Sequence, residues 1–270
     1  MKTKNKKQQN YFLMHFSKYF LLTCLLLCLN INSVISQNKE LVNNRIFATI
    51  STGHFQYKDN LMNGLRNQGL GILLALDHNR KKNSFVQNYR ARLNYASLVN
   101  RYDMSSFLAG VNLNYKLMKK TQNFLYGMDL DYSTMLYENE YFDAHHNYWS
   151  SRISAGFISV LKRDLSEKAS VTFKLSIPLF GWISRPETER EFVLNEPDLN
   201  KTDIIERMNS GYQFALEGED FIYIDTGIGF FYKLNNGRRI SIAYNLYYEQ
   251  TKISSKTQLI SNMISIGYQL

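Results

Sequence analysis

The 270-residue chain has two cysteines, three prolines and no apolar run long enough to cross a bilayer as a helix. Both cysteines, Cys24 and Cys28, lie in one short apolar stretch near the start, so residues 37–270 contain none. That part of the chain has no disulfide framework and no thiolate chemistry. Thr23 and Leu27 precede the two cysteines where a lipoprotein site takes a small residue, which argues against lipid attachment. The apolar stretch Leu21–Leu29 falls far short of the ~20 residues a spanning helix needs. Charge of one sign is also scarce. The formal net charge of +9 falls to +4 once the five lysines of residues 1–36, a segment without acid, are set aside. Much of the basic balance therefore belongs to the start of the chain and is no signal for nucleic acid. There is no Gly-rich phosphate cradle, no GxSxG, no HExxH and no basic–aromatic stripe.

Aromatics, by contrast, are abundant, with 19 Tyr and 17 Phe. A mean hydropathy of −0.33 excludes a helical membrane protein. It does not exclude a barrel whose strands turn every second residue toward a polar interior. The first 36 residues have the layout of an export signal. Lys2, Lys4, Lys6, Lys7 and Lys18 precede the apolar stretch, and Val34-Ile35-Ser36 offers a cleavage site before Gln37. The expected organisation is a signal peptide over 1–36 and one domain over 37–270.

From residue 45 onward the pattern predicts ten strands and no long helix. They cover 45–57, 68–78, 84–98, 106–118, 123–137, 148–161, 169–180, 221–234, 238–250 and 256–270. Most exceed the ~5–6 residues of a soluble strand and reach the ~9–11 needed to cross a bilayer at a tilt. Side chains alternate with period two. In 106–118, Phe107, Val111, Leu113, Tyr115 and Leu117 oppose Ser106, Gly110, Asn112, Asn114 and Lys116. In 169–180, Val171, Phe173, Leu175, Ile177 and Leu179 oppose Ser170, Thr172, Lys174 and Ser176. Tyr and Phe recur near the ends of the apolar faces, as in interfacial girdles.

Four connections are short and basic: 79–83, 119–123, 162–168 and 235–239, the last with Asn236-Gly237 as a tight-turn dipeptide. The others are mostly longer: 58–67, 99–105, 138–147 and 181–220, with 251–255 short. Loop 181–220 carries ten acids against four bases. An even-stranded barrel puts both termini and its short turns on the periplasmic side and its long loops outside.

The last eleven residues close the pattern. Ile264, Ile266, Tyr268 and Leu270 share one face; Ser265, Gly267 and Gln269 share the other. A chain ending on an aromatic-bearing alternating strand resembles the closing strand and assembly signal of bacterial outer-membrane β-barrel proteins. Leu270 stands where that class prefers Phe, and Asn262 interrupts the apolar face. The resemblance implies an all-β, antiparallel, up-and-down transmembrane β-barrel of about ten strands. Eight or twelve remain open, because 181–220 has room for a hairpin. It also implies the outer membrane as location, and lipid and the barrel-assembly machinery as partners.

The lumen face carries Arg90, Arg92, Asp129, Asp131, Arg152, Lys174 and Asp225. This belt reads either as a charged constriction or as ion pairs filling a narrow lumen. Eight strands are just filled by side chains and channels open near sixteen, which favours the filled lumen. The segment 138–148, ENEYFDAHHNY, is the best catalytic candidate, with His145, His146, Asp143 and Glu140. A His near a carboxylate can activate water, but the spacing matches no metal motif. Omptin-type outer-membrane proteases resemble the chain in strand count alone, so none of their residues transfers. The expected function is non-enzymatic: a structural, surface-binding or accessory barrel with a filled or constricted lumen. No cofactor, metal or nucleic acid is expected. Loops 138–147 and 181–220 are left to meet an extracellular ligand. An outer-rim hydrolase and a narrow transport pore are the alternatives.

Overall fold

A computed structural model describes residues 43–60, 64–141, 144–185, 211–253 and 256–270, with side chains except those of 43 and 139–148. Its strands are β1 (Asn43–Asp59), β2 (Arg66–Lys82), β3 (Phe85–Val99), β4 (Ser105–Lys120), β5 (Phe124–Tyr141), β6 (Ala144–Asp164), β7 (Ala169–Ser184), β8 (Gln213–Leu216), β9 (Phe221–Lys233), β10 (Arg239–Thr251) and β11 (Thr257–Gln269). Neighbours pair antiparallel around a ring in chain order, β1 to β7, then β9, β10 and β11, with β8 attached to β7 alone. The last strand returns to the first, in register from Phe47↔Gln269 to Asp59↔Thr257. The fold is a closed antiparallel barrel of ten strands, with no helix among the described residues. Closure pairs the first strand with the last, so the sheet has no free first or last edge along that seam.

The wall's outer surface follows from the alternation. Leu70, Met128, Ile242, Ile264 and Ile266 all point outward and are more than half exposed. Exposed aromatics gather near both rims. Phe85, Tyr89, Phe124 and Tyr232 lie toward the rim that carries the termini, and Tyr95, Tyr102, Trp182 and Phe214 lie toward the other. Asn262, the one misfit on the last strand, accepts a hydrogen bond from Tyr244 Oη at 3.1 Å. Tyr268 accepts another from Arg238 Nη1 at 2.9 Å.

Two stretches depart from the expectation. The segment 138–147 is no loop. β5 runs to Tyr141 and β6 starts at Ala144, so Glu140 and His145 become cross-strand partners, as do Asn139 and His146. The alternation is lost there because a strand rising beyond the apolar belt needs no apolar face. Asp143 lies outside the described residues.

The segment 181–220 is also shorter than expected. β7 continues to Ser184, and β8 occupies 213–216. The register between β6 and β7 shifts at Ala155/Gly156, leaving Leu179 as an extra residue. Below this bulge the odd residues of β7 face out; above it Phe180 and Trp182 do, while Ile183 is buried. The parity flip hides the upper part of the strand from a period-two reading. Pro178 sits at the bulge, where a missing N–H is tolerated. Gly156 lies so close to the backbone of Pro178 that a Cβ would collide with it. Residues 186–210 of the acidic segment lie outside the described residues.

Candidate functional site in the lumen

Inward side chains divide the lumen by height. Toward the outer rim they are apolar. Phe55 and Tyr57 from β1, Ala96 and Leu98 from β3, Leu108 from β4, Met135 and Tyr137 from β5, and Leu259 and Met263 from β11 form one packed cluster. Tyr57 and Tyr137 stack at 4.6 Å across the lumen. Gly71 on β2 makes room for the Phe55 ring, which any Cβ there would strike. Ile183, Ala215, Phe221 and Tyr223 form a second cluster beside it. Leu98 and Leu108 are 0% exposed and Phe55 is 2% exposed, a degree of burial typical of a soluble core.

The buried cations of this half each have an acid beside them. Arg152 is 1% exposed, with Asp131 Oδ2 and Glu249 Oε2 each at 2.9 Å. Its guanidinium lies 4.1 Å from the centre of the Tyr223 ring. Asp131 also accepts from Asn112 at 2.6 Å, and Tyr247 donates to Glu249. Nearer the rim, Arg185 just beyond β7 reaches Asp59 at 2.7 Å and the Ile253 carbonyl at 3.3 Å. Tyr57 donates to the same Asp59 at 3.1 Å. Buried ions need such partners, because desolvation costs several kcal/mol per ion.

Toward the terminal rim the lumen opens into a cavity of about 360 Å³. Asp77 pairs with its cross-strand partner Arg90 and accepts from Asn88 at 3.2 Å. Asp225 holds Lys174 at 2.6 Å and, from the opposite wall, Arg92 at 3.2 Å. Asp129 accepts from Asn114 and Ser176. Arg90 and Arg92 thus meet Asp77 and Asp225, and Asp129 and Asp131 take other partners. Equal height on separate strands does not bring two pairs together when the strands tilt.

Above the point where Ser176 faces Asp225, β7 and β9 stop pairing. β8 fills the gap, and Glu217 in the turn after it accepts the Tyr223 N–H at 3.0 Å. Continued two residues further, the same register would set Pro178 opposite Tyr223. Partial burial, opposed by the Tyr223 N–H and the nearby Arg152, raises the Glu217 carboxyl to about 7.

Asp59, Arg185 and most of the apolar cluster toward the outer rim were absent from the expected lumen residues. Parity carried a signal for several of them. Met135 and Tyr137 share the face of Asp129 and Asp131, and Leu108 shares that of Asn112 and Asn114. Among the described residues no three His, Cys, Asp or Glu side chains gather as a metal cluster would require.

No family model matches the chain, and none of the curated proteins does. The solved structures it is similar to include bacterial outer-membrane barrels. The β-domain of the Bordetella autotransporter BrkA shares 10% identity over 84% of this chain and 98% of that one, with a TM-score of 0.46. The translocator domain of the autotransporter NalP from Neisseria meningitidis shares 11% over 89% and 92%, at 0.47. The outer-membrane protease OmpT from Escherichia coli shares 10% over 87% and 98%, at 0.41. The likeness is one of barrel architecture without an assigned family.

Proposed function

We propose that this chain is an exported outer-membrane barrel with a sealed lumen and a non-enzymatic role, structural, surface-binding or accessory. The apolar outer stopper carries the reading. Phe55, Leu98, Leu108 and Phe221 pack where a channel would need water. The exposed Leu, Ile and Met of the wall suit lipid, and the rim aromatics suit its two interfaces. The short turns, the start of β1 and the end of β11 then face the periplasm, and the far ends of β5, β6 and β7 face the cell exterior. Those outer segments are where an extracellular ligand would be met. Residues 1–36 supply the export signal, and Ile264, Ile266, Tyr268 and Leu270 offer the assembly machinery its terminal strand.

Protein from the outer-membrane fraction should migrate differently on a denaturing gel before and after boiling, and should be silent in planar bilayers. A soluble periplasmic pool without that shift overturns the barrel's location. Unit conductance steps from the wild type overturn the seal and restore the pore. The hydrolase alternative requires that His145→Ala with His146→Ala abolish cleavage of some peptide or lipid substrate.

A further inference from the structure

The cations that line the inner cavity outnumber the acids that line it. Arg90, Arg92, Lys116 and Lys174 line it, against Asp77 and Asp225. Asp77 is taken by Arg90, and Asp225 is shared by Arg92 and Lys174. Lys116 has no hydrogen bond or ion pair among the described residues, although it is only 3% exposed and borders the cavity. Its counter-charge, the cross-strand Asp129, makes no ion pair with it and accepts instead from the neutral Asn114 and Ser176. A buried ammonium held off its counter-charge is costly, and an anion in direct contact with it in the cavity would reduce that cost.

Below these cations the wall carries an apolar collar, interrupted by Asn79 and Ser241. Phe47, Val86, Leu125, Val160 and Phe231 line the cavity within a few residues of the terminal rim. Phe47 and Phe231 meet edge to face at 6.3 Å. A cavity of about 360 Å³ lies at the small end of the ~300–1,000 Å³ range of ligand sites, which are mostly apolar with a few convergent polar groups.

We infer that the inner cavity is a binding site for a small anionic amphiphile, its anionic head on Lys116 and Arg92 and its short apolar chain within the collar of Phe47 and Phe231. The inference goes beyond the sealed-barrel reading and borrows from it only the closed outer end. The cavity ends below the stopper, so the ligand enters and leaves through the terminal rim.

The test uses the folded barrel in nanodiscs of zwitterionic phosphatidylcholine, titrated with octanoate labelled at its carboxyl carbon and followed by NMR against protein-free discs. Saturable one-to-one binding is expected, about tenfold weaker in Lys116→Met and unchanged in Lys81→Met, which alters an exposed lysine at the end of β2. Removing an unpaired charge spares the fold, and the heat-dependent gel shift verifies it. Octanol competing as well as octanoate would overturn the cationic end of the site. Inorganic phosphate competing as well would overturn the apolar collar. Equal binding by Lys116→Met and wild type would overturn the assignment outright. Bilayer recordings address the seal and this titration addresses the cavity, so either can fail alone.

Discussion

In the outer half of the lumen Phe55, Leu98 and Leu108 pack as they would in a soluble core, and Arg152 is bracketed by Asp131 and Glu249. In the inner half the same wall surrounds open space, and Lys116 stands without an ion partner among the described residues. The same ten strands run through both halves, with the short β8 added only in the outer one, so a smaller strand number does not explain the filled end. The difference lies in which residue types occupy the inward parity. Large apolar side chains fill one end, while Ser, Asn, Gly and Ala on β9, β10 and β11 leave room at the other. A barrel near the filling limit can therefore be stoppered or hollow at different heights along the same strands.

The contrast can be broken by substitution. The largest effect is expected from Arg152→Met, which strands Asp131 and Glu249 in a dry environment. It should cost about 3–5 kcal/mol, read as a lower midpoint of urea unfolding in detergent. Leu98→Ala empties part of the stopper without touching a charge and should cost about 2–5 kcal/mol in the same assay. Joined with Phe55→Ala, it should also let bilayer recordings detect steps that the wild type lacks. Lys116→Met should leave the midpoint unchanged or raise it by about 1 kcal/mol, the opposite sign to Arg152→Met. Equal losses from Lys116→Met and Arg152→Met would show that the two halves do not differ in how their charges are satisfied.

The smallest effect concerns Glu217. Its folded value of about 7 lies above the ordinary 4.5, so the docked state prefers the protonated acid. The contribution is full below about 4.5 and fades as pH rises through about 7. After allowance for its partial exposure it is on the order of 1 kcal/mol. Trp182 lies edge to face with Phe214 of β8 at 5.7 Å, so its fluorescence reports the docking. The signal should change between pH 5 and 8 in the wild type and stay flat in Glu217→Gln.

The barrel was legible in the sequence because lipid on one side and a lumen on the other enforce period two along whole strands. It stopped being legible where that constraint ends. Above the apolar belt, Glu138–Tyr148 has no face to keep dry, so its strands read as a loop. At Leu179 one extra residue reverses the parity and masks Phe180–Ser184. The lumen charges could be assigned to the inward face by counting, but not to partners, because tilt decides that Arg92 meets Asp225 instead of Asp131. The stopper was written on the polar parity of β3, β4 and β5, as Leu98, Leu108 and Tyr137, among neighbours whose polarity obscured it.

The bulge at Leu179 also sets how the wall would come apart. β5 and β6 are paired along their whole length, from Phe124↔Leu161 to Tyr141↔Ala144. β7 and β9 are paired only from Ala169↔Tyr232 to Ser176↔Asp225. Beyond that point the seam is spanned by the four-residue β8, the tight turn that follows it and the Glu217 carboxylate on Tyr223. A cylinder under load tears along its shortest line of stitches. Unzipping by force or by denaturant should start at the outer end of this seam and run inward. During assembly the same edges would be among the last to be joined.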